Sequence, residues 1–564
     1  MFQLGSSPDW TIYNLYLCHF LSTWNARSYE FASVLFTAAA FPEGLSAASW
    51  IGITTSLAII VFASSLGRWV DHAPSRLRTL LTTVSINRVV VIVACVCWVI
   101  IITKDVQEDV PKSIGDAIEP TDARPLKLHQ WKDATFLLIL ALGISERLSR
   151  LANLISIERD WVPTMVTAGA TDKQQPPYDL SRLNAVMSRI DLICKLGSPI
   201  AISAFMSATK SPRLGAILLI GLNLMTWPLE YGTAKIVWQG NEQLREEKVV
   251  DVSEAKDIAV SGSQDGVGFT SDNLLNALKA VLGWFSQYGR SLQQYFSTEV
   301  WMPSLAMSTL HFSILTFSST LIVFLVNSGF SMTLITCAEV LSAAFEMSST
   351  FLFPWAVRVL GNRHPTYIPL SPDDEIDNNP PSKPSTPLRS TFAIHDPNPD
   401  PPSTEHTQTA AVSTLGLLAL TLTLLALIPS VPAIWHIAIS PLPITPNNQP
   451  NNPPSSAWHT HRPTTLIIII FIALSRLGRF TGALCAQQLA QSCVPPAQRS
   501  VFAGAEAGFA AAFGLAHYVI TVVWSRREQF GIVALASVGV VAAGVGGYAV
   551  WWVGRRGRRL GGWG

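Results

Sequence analysis

Long apolar runs, separated by shorter polar connections, recur along most of this chain of 564 residues. The clearest apolar cores are Ile51–Leu66, Val89–Thr103, Leu214–Leu229, Leu305–Val326, Ala410–Ile428 and Leu466–Leu474. Extended by their flanks, such runs reach the roughly 20 residues that an α-helix needs to cross about 30 Å of hydrocarbon. The pattern therefore predicts an all-α polytopic membrane protein.

Counting the runs gives about twelve spans, six on each side of a long polar connection. The spans are predicted near residues 11–40, 48–69, 79–103, 131–157, 181–206 and 214–237, then 300–326, 332–360, 409–439, 464–491, 499–524 and 530–553. Two sets of six joined in this way are typical of the major facilitator fold. We assign residues 1–238 to a first six-helix half and 239–298 to a cytoplasmic connection with an interfacial helix. Residues 299–564 form the second half, which includes a disordered loop at 361–408.

Composition narrows the functional class. Charged residues make up 14% of the chain, against about 25% in soluble proteins. The net charge of +1 predicts no nucleic-acid partner, and no nucleophile–base or phosphate-loop pattern indicates an enzyme. The seven cysteines lie almost all in apolar runs, so we expect core packing rather than disulfides. Basic residues after span 2 and at the end of the chain predict cytosolic termini, in either the plasma or the vacuolar membrane.

The fifth span carries a polar stripe inside an otherwise apolar helix. Steps of three or four residues place the members of the stripe on one helix face. An ionisable residue within a membrane costs roughly 2.5–3.5 kcal/mol on insertion scales, and it commonly marks a transport pathway or a partner charge. Alternatively, Asp191 and Lys195 neutralise each other and only brace the helix. The stripe consists of Asn184, Ser188, Asp191, Lys195 and Ser198.

Several stretches resemble the ferroportin family, solute carrier family 40. The most specific are residues 17–24 (LCHFLSTW), 157–162 (IERDWV), and 183–185 (LNA) followed by 189–191 (RID). A further run at 67–71 (GRWVD), with Arg76, is similar to the loop between spans 2 and 3 of major facilitators in general. Residues in the same register as the family are Asn223, Glu230, Tyr231, Leu315, Phe317, Arg476, Gly478, Arg499 and His517.

This resemblance implies export of a divalent metal, chiefly Fe²⁺, by alternating access, with proton coupling. The implied partners are the metal ion, protons and the lipid bilayer; no cofactor is expected, and the protein is expected to be a monomer. The resemblance also implies residues that gate or line the transport path. These are Arg27, Asp71, Arg76, Asp160, Asn184 and Asp191.

The resemblance implies a metal site in each half. The first-half positions that hold aspartate and histidine in the family are Ala26 and Glu30 here, so one carboxylate is lost and another replaces an imidazole. Asn223 and Glu230 match a cation-binding pair, and Asn87 stands where the family has a glutamine. Oxygen ligands of this kind suit hard divalent cations. The alternative for Glu30 is a salt bridge to Arg27, three residues earlier.

The second-half site of the family pairs a cysteine with a histidine, which correspond here to Ser319 and His517. A serine hydroxyl is a poorer ligand than a thiolate for borderline-soft metals. Because that cysteine also binds hepcidin in vertebrate members, we do not expect hepcidin-type regulation. A lone membrane histidine can also be a packed, hydrogen-bonded residue without a ligand. Two other functions stay open: proton-coupled transport of an organic solute, and a non-transporting receptor derived from a transporter.

Overall fold

The computed structural model describes residues 8–41, 46–108, 124–167, 179–248, 271–316, 319–328, 330, 332–361, 404–440, 462–524 and 526–560. In this part of the chain the first-half helices are α1 (Pro8–Ala40), α2 (Ser46–His72), α3 (Arg76–Glu108), α4 (Arg124–Ile155), α5 (Val162–Thr167), α6 (Leu180–Thr209), α7 (Pro212–Gly240) and α8 (Glu242–Arg245). They are followed by α9 (Ser271–Ser297), α10 (Trp301–Thr309), α11 (Ser319–Asn327), α12 (Met332–Gly361), α13 (Thr404–Leu427), α14 (Ser430–Ile439), α15 (Arg462–Cys493), α16 (Arg499–Val523) and α17 (Phe530–Leu560).

The predicted all-α membrane fold is confirmed. Within the described ranges, nine helices are long and apolar enough to cross a membrane. The other three predicted spans correspond to α1, α4 and the pair α10–α11, which carry charged side chains or are interrupted. Helices therefore occupy all twelve predicted spans, six before α9 and six after it.

Each half has apolar cores of its own. In the first half α1 packs against α6 and α7, and α3 packs against α4 and α7. In the second half α13 and α12 pack on α15, while α17 packs on α10, α13 and α14. Between the halves, α2 lies along α16 and α6 lies against α12. The domain boundaries assigned from sequence stay predictions.

Both ends of the described chain lie at one end of the bundle, called here the termini pole. Thr11, near the start of α1, contacts Gly240 at the end of α7. The indole of Trp551, near the end of α17, donates to the carbonyl of Glu299 beside the start of α10. Arg68 near the end of α2 reaches α9 here as well, because it donates to Ser291. The termini pole therefore gathers the ends of helices from both halves.

The structure departs from the predicted spans at several places, including the following three. The seventh span, predicted as one helix, breaks after the 3₁₀ turn 310–312 and resumes at α11. The amide of Ile314 in the break donates to the hydroxyl of Ser537 on α17 at 3.1 Å, so α17 provides a hydrogen bond that the helix loses. The fourth span continues through a π-helical turn at Ser156–Trp161 into α5. Residues 404–408, assigned to the disordered loop, belong to α13, whereas 362–403 lie outside the described residues.

Candidate functional site

Three of the four predicted oxygen ligands of the first half, all except Glu30, converge on a buried arginine that sequence reasoning missed. Arg88 on α3 is 1% exposed and donates through Nε to Oε2 of Glu230 at 3.1 Å. Its Nη2 donates to the other carboxylate oxygen of Glu230. Its Nη1 donates to Oδ1 of Asn223 at 3.0 Å and of Asn87 at 3.4 Å. In this structure the cation between these three side chains is the protein's own guanidinium.

The amide nitrogens of this Arg88 cluster are engaged as well. Asn87 donates through Nδ2 to the carbonyl of Glu146 at 3.2 Å and to the hydroxyl of Ser149 at 3.1 Å. Asn223 donates to the carbonyl of Leu219, one turn earlier, at 2.8 Å. Metal binding at Asn87, Asn223 and Glu230 stays a prediction, and it requires Arg88 to leave its present position. The sequence did contain a signal for Arg88, because an arginine beside a long apolar run is a costly charge that needs a partner.

Glu30 lies among three arginines. Its carboxylate accepts from Arg150 at 2.9 Å, from Arg27 at 3.2 Å and from Arg147 at 3.4 Å. Arg27 also donates to both carboxylate oxygens of Asp191 on α6, at 3.1 Å each. The salt bridge that the sequence allowed between Arg27 and Glu30 is therefore formed, and two α4 arginines join it. The positive charge of these three arginines opposes binding of a divalent cation at Glu30. A metal role for Glu30 stays a prediction.

Lys195 does not neutralise Asp191, which was the alternative for the polar stripe of the fifth span. Instead its ammonium lies 3.3 Å from Oε2 of Glu346 on α12. Arg476 on α15 approaches the other oxygen of Glu346 at 3.0 Å. The side chain of Glu346 is 6% exposed, so this shared carboxylate forms a buried link between the two halves. Asp191 and Lys195 thus connect α6 to two different helices.

In the second half, His517 lies at the break in the seventh span. The imidazole is 6% exposed, with Nδ1 3.1 Å from the carbonyl oxygen of Phe312 and Nε2 3.1 Å from the hydroxyl of Thr320. Phe312 closes the 3₁₀ turn after α10, and Thr320 lies in the first turn of α11. Helix ends that meet a break inside a membrane are typical positions for ion sites. The predicted partner Ser319 begins α11, but its side chain lies outside the described residues.

The contact with Phe312 determines which imidazole nitrogen can bind a metal. A carbonyl oxygen only accepts, so Nδ1 of His517 must carry the hydrogen. In the neutral ring this leaves the lone pair on Nε2, which points to the hydroxyl of Thr320. A metal-ligating histidine commonly donates its other ring N–H to a backbone carbonyl in this way, which fixes the tautomer. Nε2 of His517 and Oγ1 of Thr320 are therefore a candidate nitrogen and oxygen donor pair.

Four of the six predicted gating residues lie at contacts near the termini pole, whereas Arg27 and Asp191 pair with each other farther along α1 and α6. The carboxylate of Asp71, at the end of α2, accepts from the backbone amides of Ser500 and Val501 at 2.9–3.2 Å. Asp71 thus caps the N-terminus of α16 in the other half, where a negative charge is favourable. Glycines allow this close approach, because a Cβ at Gly67 would overlap the carbonyl of Ser500 and one at Gly504 the carbonyl of Ala63.

Arg76, Asp160 and Asn184 belong to two more groups of contacts at this pole. Asp160 accepts from Arg76 at 3.0 Å and lies 2.7 Å from the ammonium of Lys248. This group ties α3 and the π-helical turn to the segment after α8. Asn184 on α6 donates to Gln491 on α15 at 2.6 Å, which joins the halves directly. In the structure these contacts close the bundle at the termini pole.

No group of three or more histidine, cysteine, aspartate or glutamate side chains able to hold a metal is present among the residues described here. A site formed by one imidazole and one hydroxyl would bind a cation weakly. Weak binding suits a site from which an ion must also leave. The second-half arrangement around His517 is therefore compatible with passage of an ion rather than with storage.

Comparison with known proteins gives a consistent result. The family model for Ferroportin1 (FPN1) matches residues 10–364 and 406–541. A solute carrier family 40 member 1 of Oryza sativa subsp. japonica is 24% identical over 95% of this chain and 90% of that protein. Ferroportin of Mus musculus is 20% identical over 94% of this chain and 89% of its own length. The fold is similar to that of a bacterial homologue of the iron transporter ferroportin in an outward-facing state, with TM-score 0.65, 16% identity, and coverage of 96% and 99% of the two chains.

Proposed function

Because this chain belongs to the Ferroportin1 (FPN1) family, we propose that it transports a divalent metal ion, chiefly ferrous iron, out of the cytosol. The single structural observation that carries the proposal is the position of His517 at the break in the seventh span. Nε2 of this buried imidazole faces the break, and the carbonyl of Phe312 holds Nδ1. Imidazole nitrogen and hydroxyl oxygen suit the first-row divalent metals as a mixed donor set.

Alternating access is supported by the way the halves meet. The hydrogen bonds and ion pairs that join them include those of Asp71, Asn184 and Arg189, all near the termini pole. These are polar contacts between helices, which can be exchanged for water when the pole opens. The basic residues at this pole favour its cytosolic location. The conformation described here would then be closed toward the cytosol.

Proton coupling would follow from the chemistry of His517 alone. An imidazolium has no lone pair at Nε2 and repels a cation, so protonation and metal binding exclude each other. Proton entry from the outer side would release the metal there, and deprotonation would restore the site. In this proposal Glu30, Asp191 and their arginines set the charge of the path in the first half.

The test is uptake of Fe²⁺, Mn²⁺ and Co²⁺ into proteoliposomes that contain the purified full-length chain. We expect uptake of at least one of these ions and a loss of apparent affinity of about tenfold or more in His517→Ala. Affinity should also fall as the pH is lowered through the titration range of histidine. His436→Ala is the matched control, because His436 is an exposed histidine on α14.

Two results would count against the proposal. If His517→Ala transports metal with the affinity and pH dependence of His436→Ala, His517 is a packed residue and the second-half site is absent. If the wild-type protein moves none of the three ions, a proton-coupled organic solute or a receptor function becomes the better account. A direct metal titration of the purified protein separates these cases, because it reports binding without turnover.

A further inference from the structure

The side chain of Glu146, a buried acid on α4, takes no part in the contacts described so far. Glu146 is 7% exposed, and Oε1 of its carboxyl group is buried without a hydrogen-bond partner among the described residues. Asn87 faces this carboxyl group, but its amide donates to the backbone carbonyl of Glu146 and to Ser149. An ionised carboxyl group at this position would therefore lack the solvation that its charge needs.

Two arginines on the same helix lie near Glu146 but contact a different acid. Arg147 is the next residue and Arg150 follows one turn later, and both contact the carboxylate of Glu30 on α1, at 3.4 and 2.9 Å. An acid and an arginine four residues apart on a helix can pair, and the order with the acid first is the favourable one. Arg150 therefore lies between two carboxyl groups, and in this structure it contacts Glu30.

The other helices packed around Glu146 provide no unpaired cation among the described residues. On α3, Arg88 is held by the carboxylate of the cluster described above. On α1, the titratable side chains that face Glu146 are Tyr29 and Glu30, and neither carries a positive charge. α2 also packs on α4, and it has no charged side chain before Arg68. The two arginines of α4 are therefore the counter-charges available to an ionised Glu146.

We propose that Glu146 binds a proton that is exchanged for metal in the first half, and that Arg150 links the two events. This inference rests on the proposed metal transport and on Glu30 as a metal ligand. With Glu146 protonated, Arg150 stays on Glu30, as in this structure, and its charge opposes a divalent cation there. When Glu146 loses its proton to water, its carboxylate attracts Arg150, and Glu30 becomes available to the metal.

The contacts that Glu30 keeps after this change are longer than the one it loses. Arg27 lies 3.2 Å away and is shared with Asp191, and Arg147 lies 3.4 Å away. The side chains of Glu30 and Asp191 are 43% and 39% exposed, so water and ions reach this network. One proton leaves Glu146 for each metal ion that binds, and one returns when the metal leaves. The exchange thus offsets one of the two charges of a divalent ion.

The first experiment titrates the purified full-length protein with Mn²⁺ by calorimetry over a series of pH values. All proteins carry His517→Ala, so that this imidazole does not contribute to the pH dependence. Glu146→Gln imitates the protonated acid with nearly the same volume. We expect it to bind Mn²⁺ about fivefold more weakly at the alkaline end of the series, with little dependence on pH. Asp133→Asn, which changes an exposed acid on the same helix, is the matched control and should bind more tightly as the pH rises.

Infrared spectroscopy of the same proteins follows the proton itself. A protonated carboxyl group has a C=O band that a carboxylate lacks, and the difference from Glu146→Gln assigns the band to Glu146. We expect this band at low pH, and we expect added Mn²⁺ to remove it at constant pH. Absence of the band, or equal affinity and pH dependence in Glu146→Gln and Asp133→Asn, would overturn this inference alone. Failure of the wild type, with His517 intact, to bind any metal would overturn the proposed function as well.

Discussion

Replacement of Glu230 by glutamine is expected to destabilise the protein by about 3–5 kcal/mol, the cost of leaving a buried charge without its partner. Arg88 would keep its positive charge because a guanidinium does not deprotonate in proteins. With 1% exposure it has no water to replace the lost carboxylate. The measurement is the free energy of unfolding in detergent by denaturant titration, with the yield of inserted protein recorded alongside.

A double variant supplies the control. Replacing both members, as Arg88→Met with Glu230→Met, removes the charges together and retains apolar volume. Such replacements of buried ion pairs are commonly neutral or stabilising, so we expect the double variant to recover most of the loss. If Glu230→Gln unfolds like the wild type and only transport changes, Glu230 acts on the cation and not as the counter-charge of Arg88.

Replacement of Arg88, the other member of the ion pair, by glutamine is expected to create a cation site. Arg88→Gln leaves the carboxylate of Glu230 beside the amide oxygens of Asn223 and Asn87, which is a donor set suited to hard divalent cations. We expect this variant to be less stable than the wild type and to regain stability when Mn²⁺ or Ca²⁺ is added, since binding to the folded state stabilises it. The wild type, measured at the same metal concentrations, is the reference. An equal response of the two proteins would show that Arg88 does not exclude metal.

The helices of this fold were predictable because their signal is local. Apolar runs of membrane length fixed the spans, and basic connections gave a predicted orientation. The break in the seventh span was not predicted, because residues 305–326 contain no glycine or proline and, apart from His311, consist only of apolar residues, serine and threonine. Part of its compensation lies far away in sequence, at Ser537, whose hydroxyl accepts from the amide of Ile314. A hydrogen bond between positions so distant in the chain leaves no periodic pattern.

The ion pairs that link different spans were unpredictable for the same reason, because their members lie far apart in the sequence. The sequence identified Asp191 and Lys195 as costly residues inside a span, and their spacing left open the alternative that they pair with each other. Their partners, Arg27 and Glu346, come from α1 and α12 and could be found only once the helices were packed. The resemblance implied Asn223 and Glu230 as cation ligands but gave no role to Arg88, and these two partners of Arg88 lie more than a hundred residues away from it in the chain. Residue types were predictable here, whereas pairing required tertiary structure.

Replacement of Gly67 by valine is expected to keep the termini pole open and to reduce transport by more than about tenfold. A Cβ at this position would overlap the carbonyl of Ser500, so α2 and α16 could no longer meet as they do here. The amides at the start of α16 would then lose the carboxylate of Asp71, which holds the same crossing. A tenfold shift between the populations with the pole closed and with the pole open corresponds to a free-energy change of only about 1.4 kcal/mol.

Gly221→Val is the matched control for this change. It places the same side chain in α7, another membrane helix, at a position where a Cβ meets nothing within 4 Å. Opening can be followed in a Ser181→Cys background, because Ser181 is 2% exposed and its hydroxyl contacts Gln488 across the halves. Modification of Cys at 181 by a maleimide, measured by peptide mass, should be rapid with Gly67→Val and slow with Gly221→Val. Equal protection and equal transport in both variants would mean that the approach of α2 to α16 is not part of the transport cycle.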